Sequence, residues 1–189
     1  MHPYSFRTTE FLSKLNRELE QIVNTVNLLG NKSFELKLQV TLQAISLKVA
    51  QLLQAERVTF FVVDHQHQVL WSKNARGKQS ELISIEIPIN AGIAGHVATT
   101  GETLNIADPY NDPRFNPQVD RDTGFQTRSI LCLPITDSQG KVFAVVQALN
   151  KQDGKPFNKQ DEARFFDLTQ SLGFAVQSSI LYAQRIYSS

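Results

Sequence analysis

The sequence holds a single cysteine, Cys132, so no internal disulfide can form, and no Cys or His pair stands at zinc-ligand spacing. An excess of charge of one sign is also missing: 19 basic and 18 acidic side chains spread along 189 residues give a net charge of +1. Without a basic block, or a basic stripe interleaved with aromatics, nucleic acid is not an expected partner. Neither a signal-peptide apolar run nor a span of about 20 apolar residues occurs, so we expect a soluble, cytoplasmic chain with no membrane partner. Catalytic patterns are absent as well: no Ser/His/Asp set at a recognisable elbow, no Gly-x-x-x-x-Gly-Lys loop, no His-Glu-x-x-His, no nucleophile with an activating base. Asp120 and Asp122 stand beside Arg121 and Arg128, and we expect such carboxylates to be solvated or paired with those arginines. His65 and His67 find no further metal ligand in their turn. We therefore expect no enzyme, no catalytic cofactor and no metal site.

What is present reads as one domain with appended helices. Apolar residues make up 41% and charged residues 20%, and the length is enough to bury a full core. Leu12, Leu15, Leu19, Ile22, Val26 and Leu29 follow one another at alternating spacings of three and four, an a/d seam that stops at Gly30-Asn31. Such a helix can pack on its own domain, but six seam positions fit a two-stranded pairing better. We place an N-terminal dimerisation helix over residues 1–33 and one domain over residues 34–189. The latter opens with a helix carrying Phe34, Leu38, Leu42, Ile45, Val49 and Leu52 on one face.

Strand patterns follow. Residues 58–63 are β-branched and aromatic and apolar on both faces apart from Thr59, as a central strand requires. Asp64 to His67 reads as a turn into a strand over 69–73, and Leu82 to Asn90 alternates with Ile83, Ile85, Ile87 and Ile89 on one face. Residues 92–98 read as a short helix ending near Gly101, residues 104–106 as a short strand, and 107–128 as an irregular polar segment. Long loops of this kind are usually functional or disordered. Two strands (129–135 and 142–149) are joined by a turn at Asp137 to Gly140, and a final helix runs from about Lys159 to Tyr187. Asn158 and Asp161 form its expected N-cap and reciprocal box. Phe165, Leu168, Leu172, Val176, Ile180 and Ala183 lie along its apolar face. This order of elements predicts an α+β layer arrangement: a six-stranded antiparallel sheet, long helices on one face, and the short helix and loop on the other.

Asn150-Lys151, five residues, Phe157, three residues, Asp161-Glu162 is a spaced pattern that resembles the Asn-Lys…Phe…Asp-Glu signature of cyclic-nucleotide-binding GAF domains. These are regulatory modules of cyclic-nucleotide phosphodiesterases and cyanobacterial adenylyl cyclases. The run Gly92 to Gly101 with Asn105-Ile106, and the residues Asp120, Thr123 to Phe125, Thr127-Arg128 and Ile130 to Pro134, are similar to the same family. The resemblance covers roughly residues 35 to 180 and implies the GAF fold. Some GAF proteins attach a bilin through a cysteine or reduce methionine sulfoxide with cysteines, in settings this chain lacks; Cys132 sits in an apolar strand and reads as a small core residue.

A cyclic nucleotide carries a phosphate charge, a ribose and a flat base. Small residues from Asn90 to Gly95 at a helix N-terminus let an anion approach main-chain N–H groups, where orphan donors and the dipole both favour it; alternatively, the glycines serve only tight helix-to-sheet packing. The resemblance implies that main chain at Ile93 and Ala94 meets the phosphate and that Asn116, Asp120, Thr123 and Thr127 face the ligand from a closing lid. Arg57 and Thr59 contribute from the first strand and Gln147 from the sixth. Asn74 stands where some relatives place an aromatic residue that stacks on the base. Arg57 offers only donors, which suit the N1 acceptor of adenine rather than the N1–H of guanine, so cAMP is expected ahead of cGMP. Asn150, Lys151, Phe157, Asp161 and Glu162 read as scaffold, with Lys151 bridging to Asp161 and Phe157 packing beneath. The whole implies an allosteric signalling domain that dimerises through its N- and C-terminal helices and passes ligand occupancy to an output domain such as a cyclase, phosphodiesterase or kinase. A GAF dimerisation module without nucleotide, or a sensor of another small metabolite such as an amino acid or keto acid, remains open.

Overall fold

Residues 34–76 and 82–170, with the helical positions Arg17 and Gln21, are described by the computed structural model. The Leu12 to Leu29 seam and the positions Leu172, Val176, Ile180 and Ala183 lie outside the described residues, as do the side chains of Phe34, Leu38 and Asn74. The elements are α1 (Phe34–Leu53), β1 (Ala55–Asp64), β2 (Val69–Arg76), β3 (Leu82–Pro88), α2 (Gly92–Thr100), β4 (Leu104–Ile106), a 3₁₀ turn (Pro109–Asn111), α3 (Gln118–Thr123), β5 (Ile130–Thr136) and β6 (Val142–Lys151). A last helix, α4, occupies residues 159–170.

The six strands form one antiparallel sheet in the order β3-β2-β1-β6-β5-β4. The near-continuous apolar run of β1 matches its place inside the sheet, between β2 and β6, with both faces covered. Its alternation sends Val58, Phe60 and Val62 to one face and Phe61 and Val63 to the other. The first face meets Leu42, Ile45, Val49 and Leu53 of α1, spaced three and four apart, together with Phe157 and with Phe165 and Leu168 of α4. Full burial of side chains such as Phe60 and Phe165 contributes roughly 1.5–3 kcal/mol each. The second face packs on Ile93, Ala94, Val97 and Ala98 of α2. The expected sandwich of long helices, sheet, and short helix with loop is therefore the observed one.

Local chemistry explains the joints. Asp64 accepts the amides of Gln66 and His67 at 3.0 and 2.9 Å and closes the β1–β2 turn. Gly101, at φ 73, ends α2 in the left-handed conformation that glycine adopts without strain. Asn158 Oδ1 accepts the amides of Gln160 and Asp161, and Asp161 Oδ2 accepts the Asn158 amide at 2.9 Å, so the reciprocal box at the start of α4 is closed. One expectation needs correction: residues 107–128 are not uniformly irregular. They hold the 3₁₀ turn and the six-residue α3, which ends at Gly124 with φ 67. We call residues 107–128 the lid.

Candidate functional site

The lid and α2 cover the sheet face opposite α1 and leave between them a cavity of about 100 Å³. Its floor is Phe61 of β1, Ile85 and Ile87 of β3, Ile130 of β5, and Gln147 and Leu149 of β6. Its walls are Ala91, Gly92, Ile93 and Ala94 at the start of α2, and Phe115, Asn116, Val119, Asp120 and Thr127 of the lid. Six of the ten anticipated ligand residues thus meet at one place: Ile93, Ala94, Asn116, Asp120, Thr127 and Gln147. Among the lining residues Asp120 alone is charged, so any anion held here depends on main-chain amides rather than on a cation.

No side chain caps the amides at the start of α2. Ala91, the N-cap of α2, has an extended backbone and provides no side-chain hydrogen bond to the helix end. Gly92 follows at φ +67, a conformation L side chains rarely adopt, and open space lies where its Cβ would be. Gly95 has a different role. A Cβ there would sit 2.6 Å from the Asn90 carbonyl carbon and 2.8 Å from the Ile89 oxygen, so its absence lets α2 press onto the β3–α2 turn. The packing use foreseen for these glycines therefore falls to Gly95, while Gly92 leaves open space beside the start of α2.

The lid is held together by its own polar groups. Asp120, 6% exposed, accepts the Thr127 amide at 2.6 Å and the Tyr110 hydroxyl at 2.9 Å on Oδ2, and the Thr127 hydroxyl at 2.7 Å on Oδ1. This corrects the expectation for Asp120, which is neither solvated nor paired with an arginine; Asp122 is exposed as expected and accepts from Gln118, while Arg121 donates to Gln118 and Arg128 pairs with Glu56. The bond to Asp120, with burial and charge repulsion adding to it, holds the Tyr110 pKa above its ordinary value, so its hydroxyl stays a donor. The Tyr110 and Phe115 rings lie 5.1 Å apart and stiffen the same segment.

The remaining anticipated residues stand outside the cavity lining. Thr59 is buried and pairs with Gln147 in register, while Thr123 turns its hydroxyl to the Val119 carbonyl at 2.7 Å. The Arg57 guanidinium lies 3.8 Å above the centre of the Phe125 ring. Asn74 falls where the β2–β3 register shifts, and its side chain is not described. Burial pushes the pKa of the Cys132 thiol up, and no group of three or more metal-ligating side chains occurs among the described residues.

The signature residues lie beside the cavity, not in it. Asn150, 1% exposed, accepts the amides of Arg128 and Ser129 at 2.6 and 3.2 Å and donates to Glu56 and to the Gln126 carbonyl at 2.9 and 2.8 Å. It fixes the C-terminal end of the lid. Lys151 meets Asp161 at 2.8 Å, Phe157 is buried among the helix-side residues, and Glu162 accepts from Asn105 at 3.3 Å.

A six-stranded sheet with helices on one face and a lidded cavity on the other is the frame of a small regulatory module. The chain belongs to the GAF domain family, which it matches over residues 37–176. Over 162 residues it is 35% identical to the dual 3',5'-cyclic-AMP and -GMP phosphodiesterase 11 of Drosophila melanogaster, covering 78% of this chain and 11% of that protein. The chain thus spans about a tenth of that relative's length. Solved structures share the fold. A GAF domain of a phosphoenolpyruvate-protein phosphotransferase from Coxiella burnetii superposes with a TM-score of 0.66 at 18% identity, covering 94% of this chain and 97% of that one. A free methionine-R-sulfoxide reductase from Neisseria meningitidis gives 0.63 at 20% identity, covering 89% and 92%.

Proposed function

We propose that this GAF domain binds a cyclic nucleotide, cAMP ahead of cGMP, and signals its occupancy through paired N- and C-terminal helices to an output domain. The observation that carries the reading is the uncapped start of α2 opening into a lidded cavity. Each N–H that reaches the phosphate contributes about 1.5–3 kcal/mol as a charge-assisted bond, and the helix dipole adds about 0.3–1 kcal/mol. Kinship to a dual cAMP and cGMP phosphodiesterase supports the ligand class. Small-molecule sites usually enclose about 300–1,000 Å³; at about 100 Å³ this cavity admits a nucleotide only when the lid draws back. Asn150 holds the lid's end at Gln126 to Ser129, so the moving part is the stretch ahead of Gly124. Preference for adenine rests on Arg57, whose donors meet its N1 once the side chain leaves Phe125. The role is regulatory and non-catalytic: Cys132 is buried, and burial disfavours its thiolate.

Calorimetric titration with cAMP and cGMP tests the reading. Binding that weakens in Thr127→Ala and Asp120→Ala is expected, and heat from neither nucleotide overturns it. The small cavity favours one rival, a smaller anion such as an amino acid or keto acid, which the same titration distinguishes. For the dimer, Leu19→Lys with Ile22→Lys is expected to halve the solution mass; an unchanged monomeric mass refutes the pairing.

A further inference from the structure

Tyr110 is exposed on the outer side of the lid and lines no part of the cavity, yet it touches two residues that do. Its hydroxyl donates to Asp120 Oδ2 at 2.9 Å, and its ring lies 5.1 Å from that of Phe115. Among the described residues, the other hydrogen bonds of residues 107–116 join positions only two or three apart. The Tyr110 bond spans ten positions and fastens the 3₁₀ turn to α3, whose six residues are too few to be stable alone. Asp120 in turn reaches across Gly124 to the amide and hydroxyl of Thr127. Thr127 belongs to the end that Asn150 anchors, whereas Tyr110 and Asp120 belong to the part that draws back.

Three donors therefore converge on the carboxylate of a residue only 6% exposed. A hydrogen bond to a buried charge is worth more than the same bond in water, where solvent replaces either partner. Drawing the lid back carries Asp120 into water and devalues the Tyr110 bond, so the bond favours the closed lid. We propose that Tyr110 is a positioning residue that latches the lid: it holds the Asp120 carboxylate against Thr127 and so limits how fast a ligand enters the cavity. The proposal rests on the cyclic-nucleotide reading for what enters, and not for the latch. A closed lid opposes entry whichever arrangement the bound state takes, so the effect falls on the association rate. Tyr110→Phe keeps the ring against Phe115 and removes only the donor. Both Thr127 bonds remain in that variant, so the lid loosens rather than detaches.

Two measurements test the latch and its consequence. Hydrogen exchange of the free protein reads the latch without ligand. The Thr127 amide is held by Asp120, while the Arg128 and Ser129 amides on Asn150 report the anchored end. Tyr110→Phe is expected to speed exchange at Thr127 by about two- to tenfold, the net value of one hydrogen bond, with Arg128 and Ser129 unchanged. Added to Asp120→Ala, the same substitution is expected to change nothing further at Thr127. Unaltered exchange at Thr127 in Tyr110→Phe, or equal acceleration at all three amides, overturns the latch. Stopped-flow mixing with cAMP reads entry, and the association rate is expected to rise by the same factor in Tyr110→Phe. An unaltered rate, in a protein that binds cAMP, overturns the control of entry. If neither cAMP nor cGMP binds the wild type, the nucleotide reading falls and the exchange measurement still decides the latch.

Discussion

Replacing Asn150 by alanine removes four hydrogen bonds that converge on one side chain. The Ser129 amide lies in a buried residue, where an orphaned donor costs about 1–3 kcal/mol. Arg128 and Gln126 are exposed enough for water to take over, so their bonds and the one to Glu56 lose only the net value of about 0.5–1.5 kcal/mol each. The loss totals about 2.5–7.5 kcal/mol. Asn150 also holds φ 55, where alanine is strained by about 1–2 kcal/mol and asparagine is better tolerated. Against a domain stability of about 5–15 kcal/mol this is severe. Urea unfolding should show a lower midpoint with an unchanged slope. Asn150→Gly separates the two causes, because glycine accepts the backbone angle but makes none of the bonds. We expect it to retain most of the alanine variant's loss, with faster hydrogen exchange at the Arg128 and Ser129 amides. A glycine variant within about 1 kcal/mol of wild type would mean that backbone strain, not the hydrogen-bonded hub, sets the importance of this position.

Lys151→Met leaves the Asp161 carboxylate nearly buried without its cation, still accepting the Asn158 amide, and should cost about 3 kcal/mol in the same assay; a loss under about 1 kcal/mol refutes the buried bridge. Gly95→Ala drives a Cβ into the backbone of Ile89 and Asn90 and should cost about 1–3 kcal/mol. Gly92→Ala meets open space and pays only its backbone angle, so thermal unfolding should rank Gly95→Ala as the more damaging. The Asp64 side chain, 2.7 Å from the His67 ring, holds that pKa above its ordinary value. Burial pushes Asp64 up, but hydrogen bonds from the His67 amide and ring and the Gln66 amide outweigh it and leave its pKa low. The sign follows from both shifts: the pair's small stabilisation is lost as pH rises through the raised His67 value and as pH falls through the lowered Asp64 value. An NMR titration of the His67 ring should show its midpoint drop in Asp64→Asn; an unmoved midpoint refutes the pairing.

The strands were legible in two ways: β3 carries a period of two, and β1 is a β-branched and aromatic run apolar on both faces. β4 falls at the expected residues; β1 extends beyond 58–63 to Ala55 and to Asp64, which was expected in the turn, and β6 extends to Lys151, the cross-strand partner of Ala55. α3 was hidden because a six-residue helix has too few turns to show a period. Its signals are a terminal Gly124 and the burial of two polar residues, Asp120 and Thr123, and the burial is visible only in three dimensions. At the cavity, resemblance supplied the polar residues and missed the apolar floor. Phe61, Ile85, Ile87, Ile130 and Leu149 read as ordinary core, since alternation gives the face a side chain takes and not whether anything packs there. Arg57 shows the converse limit: alternation puts it on the cavity side, but not that its guanidinium lies over the ring of Phe125, 68 positions further on.

The end of β6 explains why a signature outside the cavity belongs with one inside it. Ala148 packs toward the helices and Leu149 lines the cavity, so the strand still alternates there. Asn150 then takes a positive φ and sends its amide sideways to the lid, and Lys151 reaches Asp161 at the start of α4. Four consecutive residues therefore join helix-side core, cavity floor, lid anchor and final helix. A shift of the lid anchor has to be absorbed at Asn150, whose neighbour is fixed to α4 by a nearly buried ion pair. Coupling of this kind moves an equilibrium only by the difference in ligand affinity between two arrangements, and a tenfold difference is about 1.4 kcal/mol. The bonds at Asn150 and Lys151 each exceed what a single exposed contact contributes. On the signalling role proposed above, they are the contacts through which such a bias passes from lid to α4, and that role gives a physical reason for those residue types to stand at those spacings.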